Sequence, residues 1–296
     1  MSGPGPSHDR LAEGVEPVGT LRWLGIALLG LGVALIANSL LGPFVADAVR
    51  YPWSASMRNQ AIALEAFSLF VVAPLCVLAG VLALRGHGAA PLVAFGPAAY
   101  AAYMFVQYVV GPEYTSYPAV LPLHLAVFVL GAGTAVAAWA AVDRLPRPGR
   151  RSERRYAVLL LLLLAAFVVS RYLPALLAGS GGEPLPAEFR DDVSMFWSIL
   201  LLDLGIVVPA TVAAAVALFR GADWGSKALY LILGWFALVP PSVAAMGIVM
   251  VANDDPNASV GQTIVLTVVA VVFAALAVRL YRPLLGRDSA GFGAGP

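Results

Sequence analysis

An all-α polytopic membrane fold is predicted by three observations. Apolar stretches of about 21 to 25 residues, the length a helix needs to cross a hydrocarbon core of about 30 Å, fill most of the 296 residues. Charged residues are only 12% of the chain and hydrophobic residues 60%, against roughly 25% charged in an ordinary soluble domain. The apolar positions show no period-two alternation, which argues against a transmembrane barrel. Mean hydropathy of +0.84 agrees.

The stretches predict eight spans: 21–41, 61–84, 90–111, 120–142, 156–178, 195–219, 228–251 and 262–283. The first is long and lacks a strongly basic flank, so it reads as a retained helix and not a cleaved leader. Segments 1–20 and 284–296 are rich in Gly, Pro and Ser and are expected to be disordered tails. The basic stretch 143–155 is expected to be a cytoplasmic linker against anionic headgroups, separating a unit at 21–142 from one at 156–283.

Orientation follows from the 18 basic residues. With the N-terminus in the cytoplasm, 14 of them, among them Arg22, Arg85, Arg151, Arg154, Arg155, Arg220, Lys227 and Arg282, fall on the inner side. Only Arg50, Arg58, Arg171 and Arg190 fall on the outer side. This is a positive-inside bias, and it puts both termini in the cytoplasm of a cell with a plasma (inner) membrane. A net charge of +1 gives no reason to expect a nucleic-acid partner.

The two units read as parallel repeats. VVAPLCVLAGVLALRG at 71–86 aligns without a gap on IVVPATVAAAVALFRG at 206–221, setting Pro74 on Pro209 and Arg85–Gly86 on Arg220–Gly221. Four spans per unit relate the copies by an axis along the membrane normal. Small residues Gly30, Gly32, Ala34, Gly131, Gly133 and Ala135 are expected to let the helices approach closely.

Function is addressed only by the charges inside the spans. Glu65 and Asp203 are acids where hydrocarbon is expected, and uncompensated acids there are costly and usually mark a site or a buried partner. Their distances from the expected helix starts correspond to about 6 Å and 12 Å at 1.5 Å per residue. In the repeat alignment Glu65 falls on Leu200 and Asp203 on Ser68. Arg171 is the cation placed to reach a carboxylate, and setting Arg155 on Arg22 aligns it with Asn38. Tyr103, Gln107 and Tyr108 on the third span and His124 at the start of the fourth are further polar groups in the outer half, with Glu113, Tyr114 and Tyr117 in the loop between them. Glu65, Asp203, Arg171, Tyr103, Tyr108 and His124 are therefore the expected ligand-binding residues.

At these positions the chain is similar to an uncharacterised family of bacterial multi-pass membrane proteins. The second span matches at Glu65, Ser68, Pro74 and Leu75, and the third at Tyr103, Phe105, Tyr108 and Gly111. Tyr117 and His124 fall on a tyrosine-led opening of the fourth span. Leu200 to Leu204 with Pro209, and Trp224–Gly225, match the second half. Leu200 stands where the family carries histidine. The resemblance covers about 40 to 285 and implies the fold, but no activity.

Several chemistries are set aside. The single cysteine, Cys76, forms no intramolecular disulfide and no metal cluster, and three histidines do not suffice for a haem or a three-His zinc site in the membrane. Nucleotide-binding signatures are missing, and no cofactor is expected. The expected function is binding or transport of a small polar or cationic ligand, with a proton as a candidate coupling ion, in an outward-facing intramembrane pocket. An assembly protein whose charges only hold helices together is one alternative. An intramembrane enzyme acting on a lipid-linked substrate, with Glu65 or Asp203 as general base, is the other.

The topology is open to direct test. In a Cys76→Ala background, Arg150→Cys and Thr115→Cys should label with an impermeant thiol reagent from opposite sides of the membrane. Labelling from the same side rules it out.

Overall fold

The computed structural model describes residues 17–46, 48–49, 51–111, 118–142, 145, 151–182, 184 and 190–285. Among them there are helices and no strands. Eight helices are long and apolar enough to cross a membrane: α1 Gly19–Phe44, α2 Ala55–Leu84, α3 Ala90–Val110, α4 Leu121–Ala141, α5 Arg151–Gly181, α6 Val193–Arg220, α7 Asp223–Ala252 and α8 Val260–Leu284. Each expected span lies on one of them. Residues 1–16, 286–296 and most of 143–150 are outside the described residues, as are Glu113, Tyr114 and Tyr117.

The starts of α2 and α6 depart from expectation, and for a local reason. Ser54 caps α2 by accepting from the Met57 N–H at 3.1 Å, which satisfies one of the orphan amides at a helix start. Ser54 also donates its hydroxyl to Asp192 at 2.5 Å and its backbone N–H at 3.1 Å, and Asp192 is the residue that opens α6. The two helices therefore begin together. Both acids lie ten residues beyond their helix starts, about 15 Å along the axis. Their expected distances from the helix starts, about 6 Å and 12 Å, were both too short, Glu65's by more, because both helices start earlier than the apolar stretches. Asn59 extends this polar end of the bundle, donating to Asp255 and accepting from Asn253, both at 2.8 Å.

Prolines shape α2 and α6 in the same way. A proline inside a helix lacks an N–H, and its ring presses on the carbonyl four residues back. Immediately before Pro74 the chain forms a π-helical turn at Ser68–Val72, and before Pro209 one at Asp203–Val207. The extra residue of each turn relieves the clash without ending the helix. Both helices close on a left-handed glycine, Gly86 at φ 72° and Gly221 at φ 77°. The paired capping bonds run from Gly86 to Ala83 and His87 to Leu82, and from Gly221 to Leu218 and Ala222 to Ala217. The third helix of each half differs. α3 runs unbroken through Pro97, whereas α7 is interrupted at Ala237–Leu238, just before Pro240 and Pro241.

α1 lies along α2 and α5 along α6, while α3 and α7 meet in the middle of the bundle. α3 also packs closely on α4. α8 packs chiefly on α7 and is the least buried of the eight. Close approach of α1 and α2 depends on Gly25 and Gly80. A Cβ on Gly25 would come within 2.9 Å of the Gly80 carbonyl and 2.8 Å of Leu84. Of the expected small contact residues, Gly32 and Gly131 sit against neighbouring backbone at 3.3 Å and 3.0 Å. Gly133 faces open space and Gly30 meets only Leu130 at 3.9 Å, because both lie on the exposed side of their helices.

Overpacking a tight helix crossing costs about 1–3 kcal/mol, so Gly25→Ala should lower thermal stability in detergent micelles by that order. Gly133→Ala should stay within about 0.5 kcal/mol of the parent. Equal effects would mean that the α1–α2 contact is not close.

Candidate functional site

Both acids are buried inside the bundle, Glu65 at 2% and Asp203 at 5% relative exposure. Each is surrounded by hydrogen-bond donors from other helices. The carboxylate of Asp203 takes the Tyr103 hydroxyl of α3 at 2.6 Å on one oxygen and the Tyr172 hydroxyl of α5 at 2.5 Å on the other. Asp203 opens the π-helical turn of α6, so the widened backbone begins where the acid sits.

Glu65 is held from different directions. Asn38 of α1 donates its amide at 2.9 Å, and Ser39 donates its hydroxyl at 2.6 Å to the other carboxylate oxygen. Tyr51, in the segment between α1 and α2, makes a long contact of 3.4 Å. Tyr108 of α3 lies beside the same acid. His124 does not bond to Glu65. It is buried against the rings of Tyr51, Phe105 and Tyr108, with centroids 5.4–6.0 Å away, and one ring nitrogen bonds the Tyr108 backbone.

The expected residues therefore fall into two groups. Tyr103, Arg171 and Asp203 form one, and Tyr108, His124 and Glu65 the other. The geometry of α3 separates them. Tyr103 and Tyr108 are five residues apart, about 140° around a helix of 3.6 residues per turn, so one helix offers a phenol to each acid on different faces. Asn38, Ser39 and Tyr51 bond Glu65 while Tyr103 and Tyr172 bond Asp203, with no overlap between the two sets.

The Asp203 group borders a cavity. A space of about 190 Å³ lies between α5, α7 and α8, lined by Ser170, Arg171, Asp203, Trp235, Pro240 and Gln262 among others. The Arg171 guanidinium stands 5.7 Å from the centroid of the Tyr172 ring. Trp235 and Phe236 form a partition, since they also line an almost wholly apolar space of about 360 Å³ beside Tyr103. The break in α7 falls in this wall. Pro240 and Pro241 supply no N–H to the carbonyls of Phe236 and Ala237, which leaves polar backbone near the cavity.

Tyr172 and Ser39 were missed in the sequence, as were Asn38 and Tyr51 as partners of Glu65. A signal for two of them was present. The alignment that sets Arg171 on Asn38 sets Tyr172 on Ser39, and each of these hydroxyls donates to the acid of its own half. A charged neighbour drew attention to Arg171, while the adjacent phenol carries the hydrogen bond.

Searches against protein-family models, curated proteins and solved structures found no match for this chain. The fold thus defines a class only: a helical protein with eight helices able to span a bilayer, fitting a multi-pass membrane protein.

Hydrogen bonds to a charged group contribute about 1.5–3 kcal/mol each. Tyr103→Phe and Tyr172→Phe should each destabilise the protein by that order in denaturant unfolding from micelles. Because the two phenols share one carboxylate, the double variant should depart from additivity by about 0.5 kcal/mol or more. Strict additivity would mean that the two bonds do not meet at Asp203.

Proposed function

We propose that this chain is an integral membrane protein of the plasma membrane that binds, and carries across, a small polar or cationic ligand. Its cavity is the one beside Asp203, entered from the outer side. One observation carries this reading: a buried carboxylate, pre-oriented by two phenols, borders a cavity that also contains Arg171, Ser170 and Gln262. Pockets of this kind, apolar with a few convergent polar groups, are where small ligands bind. Asp203 supplies the negative charge for a cationic group, while Trp235 and Phe236 supply an apolar wall. Arg171 accepts any anionic or carbonyl group the ligand carries.

The same reading takes the two halves as parallel repeats at 21–142 and 156–283, with both termini cytoplasmic. The matching π turns before Pro74 and Pro209, the matching glycine caps at Gly86 and Gly221, and the paired donors Ser39 and Tyr172 support the duplication. Rocking of one half against the other around α3 and α7 is the natural motion of such a pair. The interruption at Ala237–Leu238 is the natural hinge.

The test uses Trp235, which lines the cavity. Purified protein in lipid nanodiscs is titrated with ethylamine, guanidine, glycine and acetate while tryptophan fluorescence is recorded, with Trp235→Phe as the blank. Ethylamine or guanidine should change the signal saturably and acetate should not. Asp203→Asn should weaken binding at least tenfold, about 1.4 kcal/mol, while the protein remains folded. No saturable response to any probe, or an unchanged response in Asp203→Asn, overturns the ligand reading and favours a scaffolding role for the acid.

A further inference from the structure

Glu65 lies apart from the Asp203 cavity, and its surroundings suggest a different task. Three side chains hydrogen-bond its carboxylate, from α1 and from the segment after it, and a fourth, Tyr108 of α3, stands beside it. None of the four is basic. Among the described residues, the titratable groups around it are Tyr51 before α2, Tyr100 and Tyr108 on α3 and His124 on α4. α1 contributes the neutral Asn38 and Ser39, and α7 brings Ser242 beside Tyr100. A carboxylate buried at 2% exposure thus has hydrogen bonds but no cationic side chain among these neighbours.

The same neighbourhood contains polar atoms that are buried and unpartnered: Asn38 Oδ1, Trp53 Nε1, the Tyr100 hydroxyl and His124 Nε2. Asn38 donates its amide to Glu65, so its oxygen is an open acceptor. His124 bonds the Tyr108 backbone through its other nitrogen. In a neutral ring whose Nδ1 carries the hydrogen, Nε2 is then an open acceptor too. Trp53 stacks on Tyr51 with centroids 4.2 Å apart, and both precede α2, so the cluster reaches towards the end of the bundle. Buried polar atoms rarely stay unpaired. The cluster thus holds two open donors, Trp53 and Tyr100, and two open acceptors, Asn38 and His124, and a hydrogen added at the carboxylate would serve one of the acceptors.

We propose that Glu65 is a proton-binding site, separate from the ligand cavity. One proton from the aqueous side passes the Tyr51–Trp53 end and converts the carboxylate to the neutral acid. The new carboxyl O–H donates to one of the two open acceptors, Asn38 Oδ1 or His124 Nε2, directly or through a bound water. The step is a plain proton uptake, with no bond made or broken at carbon. A role for this proton in driving transport rests on the ligand reading above; the proton site itself stands without it.

Infrared pH-difference spectra of the protein in nanodiscs, in sodium-free choline chloride, test this directly. On acidification the parent protein should gain the C=O stretch of a protonated buried carboxyl. Glu65→Gln should lose that band and Asp203→Asn should keep it. Ser39→Ala, which retains the acid but removes one donor, should shift the band's frequency and guards against misfolding of Glu65→Gln. A spectrum unchanged in both Glu65→Gln and Ser39→Ala overturns the proposal. So does a band lost in Asp203→Asn alone, or one suppressed by replacing choline with sodium, which would make Glu65 a metal-cation site. The readout involves no ligand, so a failed titration at Asp203 leaves it intact.

Discussion

A carboxylate placed among apolar helices costs about 2.5–3.5 kcal/mol even on lenient membrane-insertion scales. The arrangement of this bundle follows from meeting that cost twice. Each acid draws donors from other helices: Asn38 and Ser39 of α1 for Glu65, Tyr103 of α3 and Tyr172 of α5 for Asp203. Such bonds fix the rotation of a helix as well as its position, because a phenol turned away by one residue no longer reaches. Apolar packing alone, among helices made largely of Ala, Val and Leu, specifies rotation only weakly.

α3 is where the two demands meet. It carries Tyr108 for Glu65 and Tyr103 for Asp203, and its alanines and Gly96 let α4 and α7 come close. Two acids served by one helix from different faces remain separate sites that respond to a single rigid body.

The prolines act on the backbone in a complementary way. Pro74 and Pro209 are accommodated by π turns that begin at Ser68 and at Asp203, so the widened helix coincides with polar side chains. Pro240 and Pro241 break α7 outright, and Phe236, Val239 and Pro240 on either side of the break line the Asp203 cavity. Irregular backbone at such depth is tolerated where protein or a cavity covers it.

The eight helices were legible in the sequence, because an apolar run of the right length has few other stable outcomes once hydrocarbon is the solvent. The presence of Glu65 and Asp203 in the interior was equally legible, since lipid-facing acids are too costly. The start of α2 was not, for it depends on Ser54 capping Met57 and meeting Asp192, a residue far away in the chain. Of the two partners of Asp203, Tyr103 was among the expected residues and Tyr172 was not. Charge pointed to Arg171, but the rotation of α5 delivers the Tyr172 hydroxyl, and rotation is decided by all the contacts of a helix together. The division of the six expected residues into two groups was likewise decided only by the tertiary structure. A sequence records that Tyr103 and Tyr108 share a helix; which acid lies opposite each face depends on the helices packed against it.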